Sequence, residues 1–271
     1  MADGVTLEGA PVLGVKIHAV ERYQAADLIL EAARDRRPMA VSALAVHGVM
    51  EGVADPELQY RLNRFELVVA DGQPVRWAVN LLHGAGLQDR VCGPDLMADL
   101  CKAAAVDGLP IFLFGSTQPT LDKLSDRLPR LAPGLRVAGT QASRFRAATE
   151  QERLADLEVI RDSGAALVFV GLGCPRQEIW AFENRVELGL PVVAVGAAFD
   201  FFAGNLDRAP AWMQKAGLEW LFRLRQEPRR LWRRYLILNP AYLFRLGLEL
   251  TGIRRIPTDR QVRPPLAQRP S

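Results

Sequence analysis

Cysteine and histidine are scarce in this chain, with three of each among 271 residues. Cys92, Cys101 and Cys174 form no C-x-x-C pair and are odd in number, which argues against a thiolate metal cage or a disulfide framework. They read as reduced thiols of a cytosolic protein. His18, His47 and His83 show no metal-ligand spacing, so neither a metal nor another cofactor is expected. Long apolar runs are missing too. The nearest, Pro191 to Gly204, falls short of the roughly 18 residues of a membrane span, and it contains Asp200. The first ten residues have neither the basic start nor the apolar stretch of a secretory signal. Any contact with a membrane is therefore expected to be peripheral and from the cytoplasmic side.

Charge is present but unevenly spread. The net of +3 combines −6 over Met1 to Leu206 with +9 over Asp207 to Ser271, where 14 Lys+Arg face 5 Asp+Glu. Within the basic part, Glu227 to Leu238 has helical periodicity. Leu231, Trp232, Tyr235, Leu236 and Leu238 fall on one face, and Arg229, Arg230, Arg233 and Arg234 on the other, with Ile237 among them. Such a segment suits an anionic membrane surface. A domain-capping helix with its Leu/Trp face on the core and its arginines in water fits the same pattern. A nucleic-acid module is not expected, because the aromatics sit on one helical face and do not interleave with the arginines.

The rest of the chain alternates. Apolar, β-rich runs occur at Val12–Ile17, Met39–Leu44, Leu67–Ala70, Pro110–Phe114, Leu135–Ala138, Ala166–Val170 and Val192–Val195. Several are continuous, as in strands buried on both faces. Helical patterns lie between them at 25–34, 48–62, 74–82, 94–106, 119–131, 150–163 and 177–188. This predicts an α/β fold: a Rossmann-like, largely parallel sheet with helices on both faces. A basic helical C-terminal appendage is predicted to follow. The expected divisions are a catalytic domain over 1–206, the appendage over 207–250, and a disordered tail over 251–271, where Pro, Arg and Gln dominate.

Ligands of such sheets bind beyond the C-terminal strand ends, so the loops there carry the functional reading. Asp71 follows an apolar run and precedes Gly72, Gln73 and Pro74. A carboxylate so placed can take a proton from a hydroxyl, or it can cap the next helix. Arg90 precedes the helix start Gly93-Pro94-Asp95; it can reach an anionic ligand or pair with Asp89 or Asp95. Gly115-Ser116-Thr117 before Pro119 can cradle a phosphate or close a turn. Gly171-Leu-Gly173-Cys-Pro175-Arg176-Gln177-Glu178 begins like a dinucleotide fingerprint, but Arg176 stands at its third glycine. Its glycines admit a close ligand, and Arg176 and Gln177 offer donors to a diphosphate or a sugar hydroxyl. Asp200, between phenylalanines, is either a structural group or a ligand contact, with Arg208 as its expected partner.

Taken in order, these loops resemble the WecG/TagA/CpsF glycosyltransferases, glycosyltransferase family 26. The resemblance runs from about Val12 to Gly247. It rests on Ala70-Asp71-Gly72-Gln73-Pro74, Arg90 to Leu96, Phe114-Gly115-Ser116, Gly171 to Glu178, Gly196 to Asp200, Gly204 with Arg208-Ala-Pro210, and Gly217-Leu-Glu219-Trp220 through Arg223 to Tyr235. It implies inverting, metal-independent transfer of a sugar (N-acetylmannosamine, its uronic acid, glucose or a similar hexose). The donor would be a UDP-sugar and the acceptor a polyprenyl-diphosphate-linked sugar, in cell-surface polysaccharide or teichoic acid biosynthesis at the inner face of the bacterial membrane. It further implies Asp71 as general base, and Arg90 and Gln177 as active around the phosphates. The appendage would dock on the membrane, complete the site and supply Arg223, Arg230, Arg233 and Arg234 to the diphosphates. Assembly into a homo-oligomer is also implied.

Many relatives carry T-x-N at the end of the second strand. Here Ala43 and Ala45 occupy those positions, and Ser42 or His47 stands in as the polar contact, which leaves the sugar open. Two other readings compete: a nucleotide-dependent oxidoreductase with a Rossmann sheet, and a non-enzymatic basic adaptor at a membrane surface. The broken glycine fingerprint weighs against the first.

Overall fold

Leu67–Ala70 and Pro191–Ala194 are buried along their whole length because both faces of the sheet they join are covered. In the computed structural model, which describes residues 8–260 and residue 262, the strands are β1 Gly9–Val12, β2 Val15–His18, β3 Met39–Leu44, β4 Leu67–Ala70, β5 Ile111–Gly115, β6 Val137–Gln141, β7 Leu167–Gly171 and β8 Pro191–Ala194. They form one sheet in the order β1-β2-β4-β3-β8-β7-β5-β6, parallel except for the β1–β2 hairpin. Between and after them lie α1 Arg22–Arg34, α2 Val46–Ala54, α3 Pro56–Leu62, α4 Gln73–His83, α5 Gly93–Asp107, α6 Gln118–Leu131, α7 Glu150–Asp162, α8 Arg176–Leu188 and α9 Ala198–Ala203. The chain then continues through α10 Ala211–Lys215, α11 Glu219–Gln226, α12 Pro228–Arg233, a π-helical turn Arg234–Leu238 and α13 Asn239–Leu250.

The expected α/β architecture is therefore present, with two apolar cores. One packs α2, α3, α4, α8 and α13 on one face of the sheet, and the other packs α1, α5, α6 and α9 on the opposite face. Helix starts follow local chemistry. Pro opens α3, α4, α5 and α6, where its missing N–H costs nothing. Thr149 and Glu152 cap α7 reciprocally. At the sheet centre, β4 and β8 flank β3 on opposite sides, and the C-terminal ends of all three open into one crevice.

Several expectations are corrected. Val12–Ile17 is not one strand: Leu13 (φ 51°) and Gly14 (φ 78°) turn it into a hairpin of the type that needs positive φ at both turn positions. Leu13 tolerates this because it is buried and its N–H donates to Glu249 Oε2 at 2.8 Å. The helix expected over 48–62 breaks at Asp55-Pro56, where Asp55 accepts from Glu57 N–H at 2.8 Å. The strand expected at Leu135–Ala138 begins at Val137 and runs to Gln141.

The basic helix departs most. Leu231 is buried and Leu238 packs on the core, whereas Trp232 and Leu236 are 43% and 60% exposed, and Arg234 and Tyr235 are half-buried. A π turn holds more residues per turn than an α-helix, so the face shared by Leu231 and Trp232 is not the face that carries Tyr235 and Leu236. Sandwiched elements also have more than two sides: here one meets the core, one the crevice and one solvent. Tyr242 and Leu246 complete the buried side, with the Tyr242 hydroxyl donating to Pro74 C=O at 3.2 Å. Beyond the helix, Thr251–Arg260 is irregular but tethered. Gln59 donates to Pro257 C=O at 3.0 Å, Asn63 to Thr258 C=O at 2.5 Å, and Arg260 to Val53 C=O at 2.9 Å. The remainder of the expected disordered tail, residues 261 and 263–271, lies outside the described residues.

Candidate active site

A cleft of about 790 Å³ opens over the C-terminal ends of β3, β4, β5, β7 and β8, and α11, α12 and the π turn form its other wall. Asp71 stands at the end of β4. Its N–H donates to Leu44 C=O at 3.1 Å, and Gly72 (φ 81°, ψ 146°) turns the chain directly into α4. A side chain at Gly72 would force that backbone into a region open only to glycine. Burial pushes the Asp71 carboxyl up to about 6, opposed by Arg90 and assisted by Glu219, with Arg223 and the Gly72 N–H pulling down. A carboxylate with that proton affinity serves as a base near neutral pH.

Arg90 is held beside it, because Val91 N–H donates to Ala70 C=O at 2.9 Å. Its guanidinium pairs with Glu219 of α11, not with Asp89 or Asp95. Asp95 instead takes Arg208 at 2.6 Å and the Cys92 thiol at 2.8 Å. The expected Arg208–Asp200 pair is thus absent; Asp200 accepts from the Asn205 amide at 3.2 Å.

The loop after β7 is stitched to β3. Gln177 accepts from Gly173 N–H at 3.2 Å and donates to Glu178 Oε1 at 2.9 Å, and Ser42 Oγ donates to the same oxygen at 3.0 Å. Glu178 is 1% exposed, its Oε2 has no partner, and burial raises its carboxyl above the usual range. Both ends of the Gln177 amide are therefore committed to the loop itself. Burial and the nearby Arg234 push His47 down to about 4, so its imidazole is neutral at physiological pH.

Cations enter from the appendage. Arg223 and Arg234 line the cleft, and among the described residues neither forms an ion pair. Arg223 Nε is buried without a partner, and its guanidinium lies 5.7 Å from the Phe201 ring centroid. Burial pulls the Arg234 guanidinium below its ordinary value. Such desolvated arginines suit a diphosphate, which takes paired N–H donors. Arg230 also lines the cleft but pairs with Glu227.

Most expected site residues meet here: Gly72, Gln73, Ser116, Gly171, Gly173, Arg176 and Asp200 line the same cleft. Others do not. Ser42 lies buried against Glu178, Pro175 is half-buried outside the cleft lining, and Arg233 is exposed with its guanidinium 5.2 Å from the Trp232 ring. Gly93 and Gly115 are packing glycines. A Cβ at Gly93 would sit 2.6 Å from Val195 C=O, and one at Gly115 2.8 Å from Gly171 C=O. Asn239 and Phe201 line the cleft without a sequence signal, and Tyr235, Glu219 and Trp220, which carry the resemblance, line it as well. The available signal was Glu219, an acid kept within a strongly basic stretch.

The sequence profile of the glycosyl transferase WecG/TagA/CpsF family matches residues 10–255. The chain belongs to this family. It is a glycosyltransferase, as the resemblance of its ordered loops implied, and the family acts in cell-surface polysaccharide biosynthesis. Among the described residues no helix is long and apolar enough to cross a membrane.

Proposed function

We propose that this glycosyltransferase moves a hexose, with inversion and without a metal, from a UDP-sugar to a polyprenyl-diphosphate-linked sugar. One observation carries the reading: a carboxylate of raised proton affinity, Asp71, shares a cleft with the unneutralised arginines Arg223 and Arg234. In this mechanism Asp71 takes the acceptor hydroxyl's proton as that oxygen attacks the donor's anomeric carbon. The bond to the UDP oxygen breaks on the opposite side, and Arg90, Arg223 and Arg234 neutralise the diphosphate that leaves. Arginines that gain a partner only as charge develops lower the barrier without a divalent ion. Gln177 and Gly173 hold the loop against which the donor lies, and Arg176 and Ser116 offer further donors to its phosphates.

The reading extends to an anionic membrane surface at the cytoplasmic face, where a lipid-linked acceptor resides. Trp232, Leu236, Ile237, Leu243 and Phe244 are exposed on the segment that also carries Arg229, Arg233 and Arg245. Apolar groups flanked by arginines partition to such surfaces. The test is ligand-induced thermal shift with UDP, a panel of UDP-sugars, and NAD. A ligand that binds only the folded protein raises the melting temperature by mass action. We expect stabilisation by UDP compounds and none by NAD, with the ranking among UDP-sugars naming the donor. Stabilisation by NAD alone overturns the reading.

A further inference from the structure

Glu219 opens α11 in the most basic part of the chain, and it faces inward. Its carboxylate pairs with Arg90, the two side chains being only 18% and 12% exposed, so water screens the pair little. Asp71, by contrast, forms no ion pair among the described residues, although Arg90 is its charged neighbour in the loop anchored to β4. Among the described residues, the other ionisable groups that act on Asp71 or feel its charge include Cys92 from the start of α5, Arg223 from α11 and Tyr235 from the π turn. An appendage that brings Arg223 and Arg234 to the cleft thus also brings one acid, and directs it at the arginine beside the base.

Resting on the reading of Asp71 as base, we infer that Glu219 is a positioning residue: its ion pair keeps the Arg90 guanidinium from pairing directly with Asp71, and it sets a second negative charge beside the base. The physical reason is competition. A guanidinium paired directly with Asp71 stabilises its ionised form and makes it a weaker base. Engaged by Glu219, Arg90 opposes the effect of burial on Asp71 without the strength of a direct pair, and Glu219 adds repulsion that favours protonation further. Arg90 stays within reach of a leaving diphosphate, because Glu219 holds it at the cleft wall.

The test is a carbon-13 NMR titration of the aspartate carboxyls in the full chain, with Asp71→Asn identifying the signal. In the wild type the Asp71 midpoint is expected at about 6. In Glu219→Gln it should fall by about one pH unit, the size of effect an arginine has on a neighbouring carboxylate. Glu219→Asp keeps the charge on a shorter arm and should move the midpoint in the same direction by less. The acid limb of the transfer rate should follow, with kcat on the plateau down about threefold or more and the UDP-sugar KM unchanged within about twofold. An Asp71 midpoint that stays put in Glu219→Gln overturns the inference, even if activity drops. If that variant does not fold, an unmoved midpoint in Glu219→Asp overturns it. The titration needs no substrate, so a wild type that transfers nothing from UDP-sugars overturns the proposed function and leaves this result standing.

Discussion

The sheet and the appendage treat their charges and their apolar groups in opposite ways. In the sheet region arginines find partners within the same fold: Arg153 bridges Glu150 at 2.6 Å and Glu187 at 2.9 Å, and Arg144 grips Asp156 with a second nitrogen at 2.8 Å. Its central strands β3, β4, β5, β7 and β8 bury their Val, Leu and Phe residues. The appendage leaves Arg223 and Arg234 without counter-charges, and leaves Trp212, Leu221, Trp232, Leu236, Leu243 and Phe244 open to solvent. A folded chain gains nothing from either arrangement by itself, since desolvated cations and exposed aromatics both cost free energy. The sheet region pairs most of its buried charges internally, with Glu178 Oε2 left open beside the cleft. The appendage holds groups in wait for an anion on one side and an apolar surface on the other.

The sharpest way to break this comparison is at the boundary where Asp71 faces the appendage. Asp71→Asn keeps the shape and removes the base, and should lower transfer by about 10²- to 10⁴-fold while UDP still raises the melting temperature. In the wild type, transfer should drop to half its plateau as the pH falls to about 6, because the ionised form is the base. Full activity in Asp71→Asn, measured with a labelled UDP-sugar, removes the residue from the mechanism. The next largest effect should come from the solvent side. Replacing Trp232, Leu236, Leu243 and Phe244 together by Asn should cut binding to vesicles containing anionic lipid by about tenfold or more, with little change in melting temperature, since these groups are already exposed. Vesicle sedimentation decides it; undiminished binding places the membrane face elsewhere.

The smallest effect belongs to His47, which sits where the two regions meet. Its folded state resists protonation down to about 4, while the unfolded chain takes the proton at about 6.5. Its contribution to stability is therefore present above pH 6.5 and lost as pH falls through that window. Asp71, whose value is raised, has the opposite slope between its ordinary 3.8 and about 6. The difference between His47→Gln and wild type at each pH isolates the histidine. The melting temperature of the variant should fall less steeply with acid; parallel curves refute the assignment.

The alternation of apolar runs with amphipathic helices made the sheet legible, because strands buried on both faces leave a continuous signature and helices a period of 3.6. Asp71, Gly72 and the glycines after β7 were legible for a related reason: they end strands, and strand ends meet in such folds. What stayed hidden depended on distance or on local geometry. Nothing in a sequence pairs Arg90 with Glu219 across 129 positions, or commits the Gln177 amide to Gly173 and Glu178. Gly93 and Gly115 looked like ligand-facing glycines because close approach to a backbone reads the same whether that backbone is a ligand's cradle or a neighbouring strand. The two-faced reading of Glu227–Leu238 failed because a π turn breaks the periodicity on which it was built.

The hairpin turn at Leu13 and Gly14 has a bearing on how the chain is made. Its amide is satisfied by Glu249, 236 positions away, and Gly14 C=O accepts from Gln59 and Asn63, which also hold Pro257 and Thr258. Contacts of such span form late, after most of the loop entropy of the chain has been surrendered. On a ribosome the first turn of the sheet waits, with a buried amide unmet, until α13 and the residues after it have left the exit tunnel. The last helix, α13, and the turn that starts the sheet are thus completed together.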